Sequence, residues 1–113
     1  MKSYTDIEQS KKLADILPLE SADMALCSKK QPLMTDYISA KKKFSNAGEI
    51  PIDPCWSLAA LLSVVSEVSL NSFKDRNWNA MVSRNNKMIY ADTDNPVDAC
   101  YEMILKLYEL KLL

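Results

Sequence analysis

The chain has 113 residues, 14 basic against 15 acidic, a net charge of −1 and no histidine. That length suits one domain burying roughly 65% of its unfolded surface, and the balanced charge excludes a global field that would draw it to nucleic acid or an anionic membrane. Without histidine there is no Ser-His-Asp or Cys-His catalysis and no histidine-containing zinc site.

Thr5 followed by Glu8 reads as a capping box opening a first helix over 5–17. Ile7, Leu13, Ala14, Ile16 and Leu17 supply its apolar stripe, and Pro18 should end it. Ala22–Cys27 then alternates like a short strand, Ser28-Lys29-Lys30-Gln31-Pro32 resembles a turn, and Leu33–Ala40 alternates as a second strand. Lys41-Lys42-Lys43 through Gly48-Glu49 reads as an exposed loop.

Two segments read as helix starts led by proline, which suits the first helical position because its missing N–H would be unpaired there. In the first, Asp53 precedes Pro54, and a helix to about Val65 carries Leu58, Leu61, Leu62 and Val65 on one stripe. With Ala59, Ala60 and Val64 on its flanks, this helix is expected to form the centre of the core. In the second, Asn95 precedes Pro96 and a helix runs to about Leu110, with Val97, Cys100, Tyr101, Ile104, Leu107 and Tyr108 at helical spacing. Between the two helices, 71–77 reads as a polar loop. Trp78–Ser83 and Met88–Ala91 then read as a hairpin turning at Asn85-Asn86, since asparagine tolerates positive φ.

Cys27, Cys55 and Cys100 are odd in number, far apart and without a CxxC pair, so reduced thiols acting as small apolar residues are expected. Cys55 would be the best placed for reactivity, because the first turn of a helix lowers a thiol pKa. The N-terminal residues have no apolar h-region and no run approaches the ~20 residues of a membrane span, so a cytoplasmic protein without membrane partners is expected.

Three blocks resemble a group of small uncharacterised proteins of gut bacteria and their phages. They are Leu13–Met24, Pro54-Cys55-Trp56-Ser57-Leu58-Ala59-Ala60-Leu61-Leu62, and Asn95-Pro96-Val97-Asp98-Ala99-Cys100-Tyr101-Glu102-Met103. Many members of the group have a proline where this chain has Ser66-Glu67. The group has no assigned activity, so the resemblance transfers no functional residue.

Chemistry-bearing clusters are few. Lys41, Lys42 and Lys43, with Lys29 and Lys30, could meet Arg76, Arg84 and Lys87 at a sheet edge and hold a phosphate backbone, Trp78 or Tyr90 offering a stacking face. The bland alternative is a solvated loop whose lysines discourage edge pairing. Glu20, Asp23 and Asp36 would converge if their two strands paired, but no DxDxDG-like loop makes them a cation site. Asp98 in a first helical turn is explained by capping and the helix dipole. Trp56, Tyr101 and Tyr108 fall on apolar stripes and are expected in the core.

The expected fold is α+β in the order α-β-β-α-β-β-α, two hairpins forming a small, mostly antiparallel sheet with three helices on one face. A mostly helical domain with one hairpin is the rival. The expected function is a non-enzymatic interaction module with no cofactor, no metal and no catalytic residue. It would bind a protein partner or form a homodimer through the tail Leu110-Lys111-Leu112-Leu113. The alternative is a nucleic-acid-binding accessory factor using Lys41, Lys42, Lys43, Arg84 and Lys87.

Overall fold

The computed structural model describes residues 2–27, 31–33, 36–44, 52–74 and 77–113. Its elements are helix α1 (Ile7–Ala14), a short 3-10 turn (Leu19–Ser21), strands β1 (Met24–Cys27) and β2 (Gln31–Leu33), and helix α2 (Tyr37–Phe44). They continue with β3 (Ile52–Cys55), α3 (Leu58–Val64), β4 (Ser69–Ser72), β5 (Trp78–Arg84), β6 (Lys87–Thr93) and α4 (Pro96–Glu109). The class is α+β, and among the described residues every strand pairing is antiparallel. The strands form two three-stranded sheets, in the orders β2-β1-β3 and β4-β5-β6.

Both ends of the chain are fixed by side-chain chemistry. The capping box of α1 is one residue later than Thr5 and Glu8 suggest. Gln9 N–H donates to Asp6 Oδ1 at 2.8 Å and Asp6 N–H to Gln9 Oε1 at 3.1 Å. Thr5 is instead fully buried, its hydroxyl 2.8 Å from Ser10 Oγ and accepting from Trp56 N–H at 3.1 Å. At the other end, Asn95 caps α4 by accepting from Asp98 N–H at 2.8 Å, with Pro96 in the first turn as expected.

The first of the two proline-led starts is not a helix start. Pro54 lies in β3, paired with Ala25 on an edge of the first sheet, where a missing N–H can face away from the ladder. Ser57 is the cap of α3, its hydroxyl accepting from Ala60 N–H at 3.2 Å. The helix is consequently short and only half-buried, with Ala59 and Ser63 exposed.

The core centres instead on α4, which buries Val97, Ala99, Cys100, Met103, Ile104 and Leu107. It packs on β5 and β6, whose inward residues are Ala80, Val82, Ile89 and Ala91, and it shares the core with Trp56, Leu13 and Leu61 from earlier in the chain. Trp56 is fully buried and its indole N–H donates to Ser21 Oγ at 2.9 Å, so its one polar atom is satisfied. Tyr101 is half-buried, but Tyr108, expected inside, is exposed, because it lies on the Tyr101–Leu105 side of α4 rather than on the face that buries Met103, Ile104 and Leu107.

Two further segments differ from expectation. Tyr37–Phe44 is a helix rather than part of a strand: Asp36 caps it by accepting from Ser39 N–H at 2.8 Å, and Tyr37 and Ala40 bury the same face three residues apart. Ser69–Ser72 is a strand although nearly all polar, because backbone pairing with β5 rather than an apolar face holds it. The expected hairpin is present. Arg84 pairs with Lys87 across Asn85 (φ 52°) and Asn86 (φ 64°), the double positive φ of a type I′ turn.

Candidate interaction surface

The type I′ turn fixes which way each residue of β6 points. Counting from the closing pair Arg84–Lys87, Ile89, Ala91 and Thr93 exchange hydrogen bonds with β5. The N–H and C=O groups of Met88, Tyr90 and Asp92 therefore point away from β5, along the outer edge of the sheet. Alternation also gives these three residues the outward face. Met88 is 59% exposed and Tyr90 52%, while Ile89 and Ala91 are buried under α4.

The C-terminal turn of α4 extends this surface. Leu110, 51% exposed, lies with Met88, Ile89, Tyr90, Lys106 and Glu109 around a groove of about 340 Å³. Lys106 crosses the edge at its midpoint: its ammonium donates to the Tyr90 carbonyl at 2.7 Å and lies 5.5 Å from the centre of the Tyr90 ring. One side chain thus satisfies an edge carbonyl and holds an aromatic ring in place.

The tail beyond α4 is partly docked on its own domain. Lys111 adopts φ 57°, Leu112 N–H donates to Leu107 C=O at 2.8 Å, and Lys111 N–H donates to Tyr108 C=O at 3.0 Å. This is a Schellman ending, and its usual apolar contact is made by Leu112, which packs against the core. Of the expected homodimerisation tail, Leu110 and Leu113 are left exposed.

The proposed basic cluster is divided between two elements. Lys41 and Lys42 are exposed on α2, which packs against β1, β3 and the 3-10 turn, and Lys41 lies 5.7 Å from the Tyr37 ring centre. Arg84 and Lys87 are at the β5–β6 turn of the other sheet. The Arg84 guanidinium is engaged in closing the loop after α3, donating to Ser66 C=O at 2.7 Å and to Ser83 C=O at 2.9 Å. Lys29, Lys30, Arg76 and the side chains of Lys43 and Phe44 lie outside the described residues.

Of the remaining chemistry-bearing residues, Asp23, Cys55 and Asp98 are held by hydrogen bonds. Asp23 accepts from Ser57 N–H at 2.9 Å and from its hydroxyl. Among the described residues no three acidic or thiol groups gather as a metal would require. Cys55 is not in a helical first turn but ends a strand, fully buried, its thiol donating to Thr5 C=O at 3.4 Å. Burial pushes its pKa up, and burial alone pushes Cys100 up to about 11, the opposite of an activated thiol.

Asp98 is a well-connected polar group. It accepts from Lys2 Nζ at 2.8 Å, Gln9 Nε2 at 2.7 Å and Asn95 Nδ2 at 2.7 Å, tying the N-terminal segment to the start of α4. Partial burial opposes both charges, but the bonds outweigh it, holding Asp98 below and Lys2 above their usual ranges. Three donors on one carboxylate make Asp98 a clamp between these segments. No protein-family model, curated protein or solved structure matches the chain.

Proposed function

We propose that the protein is a small, non-enzymatic interaction module whose contact surface is the outer edge of β6 with the end of α4. The observation carrying this reading is the grouping of Met88, Tyr90 and Leu110, all more than half exposed, at an edge strand whose outward backbone groups have no strand neighbour among the described residues. Large exposed apolar side chains gathered on one face mark association sites more often than isolated ones do, and tyrosine and methionine are enriched in interface cores. The absence of histidine, the raised thiols and the saturated Asp98 carboxylate support a reading without catalysis.

A photo-crosslinking residue placed at Tyr90 tests this in the cell of origin. Discrete protein adducts are expected from that position and not from Ser63, on the exposed face of α3. They should disappear when Leu110→Asp and Met88→Asp are introduced together. Equal adduct patterns from both positions, or none from Tyr90, would remove the proposal.

A further inference from the structure

The edge described above has a directional charge pattern. β6 begins at a basic end, with Lys87 beside Arg84 across the turn, and finishes at an acidic end formed by Asp92 and Asp94. Its middle is apolar and centred on Tyr90. A second copy of this strand laid antiparallel would bring each basic end to the partner's acidic end. A parallel arrangement would set like charges side by side, which costs energy.

Which backbone groups are free restricts the register, and the charged ends select within it, because an axis at Tyr90 sets Lys87 opposite the stretch between Asp92 and Asp94 of the second copy. Met88, Tyr90 and Asp92 offer theirs outward, and a two-fold axis at Tyr90 pairs Tyr90 with itself and Met88 with Asp92 of the partner subunit. A shift of one residue would oppose groups already committed to β5. Lys106 stands at the axis, its ammonium on the Tyr90 carbonyl. A lysine laid over an edge strand is a known defence against uncontrolled pairing.

Resting on the interaction-module reading, we infer that β6 is a self-pairing edge. Two copies join antiparallel about Tyr90 into one six-stranded sheet, and Lys106 is the displaceable latch that keeps this association weak.

Disulfide trapping and sedimentation test the geometry together, in a Cys27→Ser background. Hydrogen-bonded antiparallel partners have Cα atoms about 5.5 Å apart, within reach of a disulfide. Tyr90→Cys should therefore cross-link to itself. Met88→Cys should not, because four residues of strand rise separate the two copies by about 14 Å. A mixture of Met88→Cys with Asp92→Cys should cross-link. In sedimentation, Lys106→Met should dimerise about tenfold more tightly than wild type, its circular dichroism unchanged because the side chain is exposed.

Absence of the Tyr90→Cys cross-link, or a Lys106→Met protein no more associated than wild type, would overturn the inference. If photo-crosslinking at Tyr90 still yields patch-dependent adducts with a different protein, self-pairing falls while the interaction module stands. Loss of both signals removes both.

Discussion

Lys111 holds a left-handed backbone at φ 57° where a helix ending of this kind favours glycine. A Cβ in that region costs roughly 1 kcal/mol, and Lys111 is exposed with no packing role to offset it. Lys111→Gly should therefore raise unfolding free energy by about 1 kcal/mol, read as a higher urea midpoint at unchanged slope. An unchanged midpoint would mean that the tail does not close back on Leu107. Asp98 makes a second prediction at the same scale. Its carboxyl is depressed in the folded state, so its stabilising contribution is complete above the ordinary carboxylate pKa and is lost as pH falls through the folded value. Lys2 works in the other direction: its raised pKa stabilises below the ordinary lysine value, and that part is lost only as pH rises through the folded one. Asp98→Asn should thus lower stability at neutral pH by about 1–3 kcal/mol and flatten the decline below pH ~4. A residual slope is expected, because the Ser39 N–H also holds Asp36 low. An acid limb identical to that of wild type would show that the three donors do not discriminate the charged form.

The start of α3 separates the chain's local signals from its tertiary ones. Asp53-Pro54 has the composition of a helix N-terminus, and Ser57, three residues before Ala60, also has the spacing of a cap. The ambiguity is resolved from a distance: Met24–Cys27 pairs with Ile52–Cys55 and draws Pro54 into a strand, while the N-terminal segment adds a bridge from Tyr4 to Ser57. Ser57→Ala should cost about 1 kcal/mol, whereas Asp53→Ala should cost little. The reverse order in denaturant titrations would restore the earlier helix start. The same logic explains the other elements. Asn85-Asn86 and Asn95-Pro96 carry their instruction in adjacent residues, so the hairpin and α4 are readable from sequence. Asp36 with Ser39 is also a local cap signal, but the loose alternation of 33–40 masks it. Ser69–Ser72 has no signal of its own, since its pairing partner lies beyond an intervening loop. The edge surface is half visible in the sequence: Tyr90 stands out as an aromatic of the hairpin and Leu110 as part of an apolar tail, but their meeting depends on the angle at which α4 crosses β6.

Across the whole molecule, Cys55 and Cys100 report whether two sheets behave as one folding unit. Cys55 packs in a small cluster with Met24 and Leu26 on the first sheet, whereas Cys100 is on the buried face of α4 in the main core. Such a layout invites the first sheet to open separately, as a less stable unit. Two connections argue against it. Trp56 follows Cys55 directly and is fully buried in the main core, and Thr5 joins Ser10 of α1 to Trp56 through buried hydrogen bonds. Opening around Cys55 would expose the indole and break the buried Thr5–Trp56 hydrogen bond, which costs about as much as losing a large core side chain. Thiol labelling of a Cys27→Ser protein across a denaturant series should therefore give the same opening free energy for both cysteines, equal to that of global unfolding. Labelling of Cys55 at distinctly lower denaturant than Cys100 would show instead that β1–β3 melts first. In that case Trp56 would have to leave the core with it, and its fluorescence would shift in step with Cys55 rather than with Cys100.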